Sequence, residues 1–238
     1  ASASSSRSAI SSLSREIVSL YAAQVPSRRD VVLRKDFVER VTVPIRTVRP
    51  HVTLQVYGSS ATALVTRTSC LDIGVCEPTA TLPGSRSPSV SRHSSGSSTP
   101  SPTRDESPQI PRRPRGRLSM KAAEMTQDVW AALSNAIAYS GFESEFCPTP
   151  SPMLRVYDPA TTLQCTVRPL NVADDKLTQL LGDYALADPR VPPFVAAVKA
   201  FGKARNLTDV SCGMLSSLGW TMLAVQTLQL TRPQVIPS

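Results

Sequence analysis

Four places in the chain combine residue types and spacing that could do chemistry. Gly58-Ser59-Ser60 interrupts an apolar stretch, and a tight turn of this composition can bring backbone N–H groups and a hydroxyl against a phosphate. Asp72 is a lone acid inside a second apolar run, a residue type suited to a hard divalent cation. Lys199 and Lys203 stand one helical turn apart, so their ammonium groups share a face, turned either to an anion or to solvent as an ordinary charged surface. Ser216-Ser217 opens an apolar helical stretch and offers further donors at a helix start. The five cysteines (Cys70, Cys76, Cys147, Cys165, Cys212) contain no C-x-x-C pair, and His51 and His93 are the only histidines, so no zinc site is expected. Their odd number and scattered spacing suit free thiols in a reducing compartment.

These residues need elements to position them. Val52, Leu54 and Val56 alternate with polar residues and end at Gly58, and a second run restarts around Asp72, which reads as strand, turn, connection, strand. Upstream, Ile10 to Ala23 has helical spacing and ends before Pro26; a helix docked on a core is its expected role. Asp30 to Val48 is one or two helices, with Pro44 at a kink or in the first turn of a second. Met125, Val129, Leu133 and Ile137 predict an amphipathic helix closed by Gly141. Met153–Tyr157 and Thr162–Val167 predict a hairpin turned at Asp158-Pro159-Ala160-Thr161. From Val172 onward the chain reads as helical. Leu177, Leu180, Leu181 and Tyr184 form one face, Val191 to Arg205 a second helix, and Met214 to Leu230 a helix apolar nearly all round, expected at the centre of a bundle.

Length, charge and composition set the limits. The 238 residues, 41% of them hydrophobic, are enough for one or two domains with a real core, and no apolar run approaches the roughly 20 residues of a bilayer span. The net charge of +8 points to a polyanionic partner, but it is concentrated: between Gly84 and Arg117 seven arginines face two acids. That segment, 84–119, is almost wholly Ser, Pro, Arg, Thr and Gly, and is expected to be a disordered insertion in a folded domain. The alternative is an RNA-contacting or phosphorylated arm. Ala1 to Arg7, rich in Ser and Ala with an Arg and no acid, fits the trailing edge of a mitochondrial transit peptide, and equally a truncated end or a Ser-rich loop.

Four local patterns together resemble a known family. They are Gly58-Ser59-Ser60 with Ser69-Cys70-Leu71-Asp72-Ile73; Pro152 to Asp158 followed by Leu163 to Val167; Leu180-Leu181, Tyr184, Asp188 and Arg190 leading into Val198-Lys199-Ala200-Phe201-Gly202-Lys203; and Gly213 with Leu215-Ser216-Ser217 opening the last helix. The sequence resembles the noncanonical poly(A) polymerases and terminal uridylyltransferases of the polymerase β-like nucleotidyltransferase superfamily. The resemblance implies an α+β fold: a nucleotidyltransferase palm of mixed sheet and helices over residues 26–170, and a helical poly(A)-polymerase-type central domain over 171–238. Residues 1–25 are expected to form a helix packed on the helical domain. The family's domain usually runs on past the point where this chain ends, so the helical domain is expected to be incomplete.

The resemblance also assigns roles. In the family three carboxylates hold two magnesium ions about 3.5–4 Å apart, which clamp the attacking and leaving oxygens of nucleotidyl transfer. The matching positions here hold Cys70, Asp72 and Thr166, a soft thiol, one acid and an uncharged hydroxyl. A one-step slip would place Gly74 in the second acidic position and recover nothing. Nucleotide contacts fall on Gly58, Ser59, Lys199, Lys203 and Ser217, while the family's base-stacking tyrosine corresponds to Leu218. Trp220 is turned about 200° from that position and is expected in the core.

Two functions are therefore carried forward. The first is a catalytically degenerate, nucleotide- or RNA-binding or scaffolding subunit with protein partners in RNA processing or a ribonucleoprotein assembly, mitochondrial or cytoplasmic. The second is an active uridylyl- or adenylyltransferase using Mg²⁺ or Mn²⁺, with Glu77, Asp158, Asp174 or Asp175 as substitute acids beside Asp72.

Overall fold

The computed structural model describes residues 2–78, 120–148 and 151–237. The expected disorder of segment 84–119 lies outside the described residues. The chain opens with helix α1, Ser2–Gln24, and helix α2, Arg28–Val48. A capping box starts α2: the Ser27 hydroxyl accepts from Asp30 N, and the Asp30 carboxylate accepts from Ser27 N at 2.8 Å. Pro44 lies inside α2 without dividing it, so one helix stands where one or two were expected. Phe37, Val41 and Ile45 are completely buried and hold that face on the core across the proline.

Strand β1 (Thr53–Tyr57) runs into a 3₁₀ turn at Gly58–Ala61, and β2 (Leu71–Pro78) follows the connection. Arg34, only 8% exposed, fixes that connection from α2 by donating through Nη2 to the carbonyls of Thr66, Arg67 and Ser69. After β3 (Met120–Ala122) come α3 (Gln127–Tyr139), capped by Thr126, and β4 (Glu143–Cys147). The hairpin β5 (Met153–Tyr157) and β6 (Gln164–Pro169) precedes three helices: α4 (Val172–Ala187), α5 (Val191–Ala204) and α6 (Ser217–Leu230).

The strands form one mixed sheet in the order β1-β2-β6-β5-β4, with β3 paired to β2. β2 and β6 are parallel and the other pairs antiparallel, so the hairpin joins the same sheet as β1. α2 and α3 cover one face. Their Phe37, Val41, Ile45, Trp130, Leu133 and Ile137 meet Ile73, Val75, Leu154, Val156 and Val167 in one apolar core. A second core joins α4, α5 and α6 through Leu181, Val191, Val195, Ala224, Val225 and Leu228, and takes in Leu64 from the β1–β2 connection. α1 packs along α5. No helix among the described residues is long and apolar enough to cross a membrane.

Two local features tighten the sheet. At Gly74 the Leu170 side chain lies where a Cβ would go, with its own Cβ 2.5 Å from that point, so this strand position accepts no side chain. An acid at position 74, which the slipped alignment would require, has no room. The buried Asp158 closes the β5–β6 turn: its carboxylate accepts from Ala160 N at 3.0 Å, from the Thr161 hydroxyl at 2.7 Å and from Arg40 of α2.

α6 departs from its expected central place. Leu218, Met222, Leu223 and Leu230 on it are exposed, so only one side of this nearly all-apolar helix is covered by α4 and α5.

Candidate functional site

Where the sheet meets the three C-terminal helices, a cleft of about 320 Å³ opens. The sheet supplies Tyr57, Gly58, Ser59, Asp72, Thr166 and Arg168, and the helices supply Asp174, Thr178, Lys199, Ser217 and Leu218. Parallel register sets Asp72 beside Thr166, and antiparallel register sets it beside Tyr57. The turn after β1 is pinned from α4: Gly58 N donates to the Thr178 hydroxyl at 2.9 Å, and that hydroxyl donates to Asp174 O at 2.8 Å. Gly58 has φ +67, and an added Cβ would stand 2.9 Å from Asp72 Oδ2. Both its left-handed backbone and the approach of that carboxylate require glycine here.

Asp72 Oδ1 accepts from the Thr166 hydroxyl at 2.8 Å. Burial pushes the Asp72 carboxyl above the usual range, opposed by that bond and by the charges of Arg168 and Lys199. Arg168 is held in place. Its Nε donates to the Tyr57 hydroxyl, its Nη2 to Asp174 Oδ1 at 3.0 Å, and its guanidinium lies 5.0 Å over the Tyr57 ring. Nη1 has only a long contact, 3.5 Å, with Ser151. Asp174 is fixed at the start of α4, its N–H capped by Asn171 Oδ1 at 2.8 Å, and its Oδ2 is buried without a hydrogen-bond partner. Across the cleft Lys199 is buried, with a residual exposure of 5%. Desolvation, reinforced by the charge of Lys203 and opposed by Asp72, lowers its pKa from 10.5 to about 8.

Of the residues singled out from the sequence, Gly58, Ser59, Asp72, Thr166, Asp174, Lys199, Ser217 and Leu218 line this one cleft. Lys203 and Cys70 do not. The Lys203 ammonium reaches the surface connection instead and donates to the Thr68 hydroxyl at 3.1 Å, because it lies in the last turn of α5, next to that loop. Cys70 precedes β2, and its thiol turns to the Gln164 carbonyl at 3.6 Å. Burial, then the Asp72 charge, pushes that thiol up to about 11, so it carries a proton at neutral pH. Ser217 is the first residue of α6, whose cap is Ser216 accepting from Gly219 N at 3.1 Å. Trp220 lies away from the cleft against Gly202, with Nε1 donating to Leu207 O at 2.9 Å.

Tyr57, Arg168 and Thr178 escaped the sequence reading, and Asp174 entered it only as a nearby acid. Arg168 did carry a signal: it is an arginine two residues from Thr166 on the same strand, so strand periodicity points both to one face. The other candidate acids are engaged elsewhere: Glu77 with Arg49, Asp158 with Arg40, and Asp175 with Gln55 at 2.7 Å.

A mixed sheet bearing a Gly-Ser turn and an acid on the adjacent strand, roofed by a helical layer over a shared cleft, is the fold of the polymerase β-like nucleotidyltransferases. The chain belongs to the family described as "Poly(A) RNA polymerase, mitochondrial-like, central palm domain", whose match spans residues 13–185. Among curated relatives it is 29% identical over 109 residues to Poly(A) RNA polymerase cid13 of Schizosaccharomyces pombe, covering 44% of this chain and 19% of that protein. It is 31% identical over 86 residues to human Terminal uridylyltransferase 7, covering 36% of this chain and 6% of that protein. The chain thus spans less than a fifth of these relatives. The fold matches that of mtPAP in complex with ATPγS at a TM-score of 0.69 and 20% identity, over 94% of this chain and 44% of that one. It matches the Cid1 poly(U) polymerase with MgGTP bound at 0.68 and 18%, over 95% and 59%.

The Cid1 poly(U) polymerase structure holds a magnesium–nucleotide complex, and the donor set in this cleft fits a divalent metal poorly. Magnesium takes a near-octahedral set of oxygen ligands, usually anchored by carboxylates. Asp72 offers one carboxylate with an oxygen already bonded to Thr166, the Cys70 thiol is protonated, and the other acid in the cleft, Asp174, is paired with Arg168. Among the described residues, no three His, Cys, Asp or Glu side chains gather as a metal site.

Proposed function

We propose that this chain is a catalytically degenerate RNA terminal-nucleotidyltransferase-like protein. It retains a cleft for a nucleoside triphosphate or an RNA end and acts as a binding or scaffolding subunit, with protein partners, in RNA processing or a ribonucleoprotein assembly. One observation carries the reading. The cleft is lined by the Gly58-Ser59 turn, Lys199 and the start of α6, the residues to which the family resemblance assigns phosphate contact, while of the three positions it assigns to metal-binding acids only Asp72 is an acid. Nucleotidyl transfer depends on metals and fixed charges to stabilise developing negative charge, so losing two of three carboxylates removes most of the rate.

Incubation of the protein with labelled RNA, each NTP, and Mg²⁺ or Mn²⁺ is expected to give no 3′ extension. Extension that disappears in Asp72→Asn would overturn this reading.

A second reading, an active uridylyl- or adenylyltransferase, draws on Asp174, which lines the same cleft as Asp72 and whose buried Oδ2 has no hydrogen-bond partner. It requires Asp174→Asn to abolish extension as completely as Asp72→Asn does.

A further inference from the structure

The misfit between the cleft and divalent metal points to a different way of holding the same ligand. In the metal-dependent arrangement three carboxylates face the nucleotide, and the site is anionic until metal enters. Here the charged side chains lining the cleft are Asp72, Asp174, Arg168 and Lys199, two acids matched by two bases. Like charges about 4 Å apart repel by roughly 4 kcal/mol at an effective dielectric of 20, which is what bound metal must offset in a tri-acidic site. In this cleft the repulsion of Asp72 by Asp174 is opposed by resident cations: Arg168 is paired with Asp174, and the charges of Arg168 and Lys199 both favour the Asp72 carboxylate.

We infer that Arg168 and Lys199 stand in for the metal ions, so that the cleft binds the phosphate chain of a nucleoside triphosphate without a divalent cation. The inference rests on the nucleotide-binding reading above and concerns how the same site recognises its ligand.

The geometry favours Arg168 as a fixed cation rather than a mobile surface side chain. Tyr57 and Asp174 hold two of its nitrogens, the ring of Tyr57 supports its plane, and the residue lines the cleft with Nη1 held only by the long contact to Ser151. A guanidinium makes charge-assisted hydrogen bonds to phosphate, and the position of this one is set before any ligand arrives. Lys199 comes from the opposite wall on α5, and the Ser59 and Ser217 hydroxyls lie in the same lining. A solution cation added to this set would meet two resident positive charges. Magnesium would therefore have to bind through the nucleotide's own phosphates, with little help from the protein.

The test is isothermal titration calorimetry of the full chain with UTP and with ATP, in EDTA and in MgCl₂. The expected result is an affinity in EDTA within about threefold of that in magnesium, well under the factor of ten that corresponds to 1.4 kcal/mol. Arg168→Gln and Lys199→Met are each expected to weaken binding in EDTA by about tenfold or more. Lys199→Met guards against misfolding, since Arg168→Gln also removes the ties to Tyr57 and Asp174. Binding that appears only with magnesium, or is unchanged in both variants, overturns the inference and leaves the nucleotide-binding reading standing. Absence of binding under every condition overturns both.

Discussion

Lys199→Met is expected to make the protein more stable while it weakens nucleotide binding. In the folded chain the ammonium is desolvated beside Lys203, with Asp72 as the opposing charge and Arg168 and Asp174 elsewhere in the lining. Its pKa of about 8 against the ordinary 10.5 means that folding disfavours the protonated form. Below about pH 8 the lysine is charged in both the folded and unfolded chains, and the folded state bears the full penalty, on the order of 3 kcal/mol at 1.36 kcal/mol per pK unit. Between about pH 8 and 10.5 the unfolded chain binds more protons, so this part of the stability rises with pH until the penalty is gone. Methionine has similar length and no charge to desolvate.

Urea denaturation at pH 7 is therefore expected to show the variant ahead by about 2–3 kcal/mol, a gain that shrinks towards pH 10.5. At about 2–4 °C per kcal/mol for a chain of this size, its Tm should rise correspondingly. A variant no more stable than the parent at pH 7 would mean that Lys199 is not carried as a buried charge. For the parent protein, phosphate-chain affinity should fall as the pH rises through about 8 and Lys199 loses its proton. A charge kept at a stability cost in the wall of a cleft is the trade expected of a binding residue.

Two glycine-to-alanine changes are expected to move stability in opposite directions. Gly74→Ala forces a methyl group into the Leu170 side chain, at distances of 2.5 to 2.9 Å, in the middle of β2. The colliding atoms include the Leu170 Cβ, which cannot swing aside, and the Leu170 backbone is tied to the sheet by its N–H on Val75 O at 3.1 Å. Overpacking of this kind costs about 1–3 kcal/mol and sometimes more, and at this position a loss of at least about 2 kcal/mol is expected. Gly182, inside α4, meets only Thr62 Cγ2 at 3.8 Å. Alanine there should stabilise by roughly 0.4–1 kcal/mol, through better helix propensity and a less flexible unfolded chain. The two denaturation midpoints should lie on either side of the parent's with unchanged slopes; a neutral Gly74→Ala would contradict the close approach of Leu170.

Much of the fold was legible because local pattern and tertiary demand agree. The alternation before Gly58, the apolar phase of α3 with its stop at Gly141, and the Asp158 turn between β5 and β6 all follow from short-range rules. β4 was missed. Its Glu143-Ser144-Glu145-Phe146-Cys147 puts acids at alternate positions, so an edge strand with outward carboxylates reads as polar loop. α6 misled in the other direction: its apolar composition suggests a central helix, yet composition cannot say which neighbours are present to cover it.

The cleft divided the same way. Gly58, Ser59, Asp72 and Thr166 were found because their spacing matches a family. Arg168 and Asp174 are brought together with Asp72 by the parallel β2–β6 pairing and the start of α4, which spacing alone does not reveal. Those two are the residues that change how the site is read, from one that has lost its acids to one whose charges have been rebalanced.

β2 and β3 meet antiparallel with Pro78 opposite Met120, so the arginine-rich segment leaves and re-enters the fold at a single point. Its length is thereby uncoupled from the cleft. Each doubling adds only about 0.6 kcal/mol of closure entropy and shifts no strand. That point is also the end of the strand that carries Asp72, roughly 20 Å away at about 3.3 Å per residue.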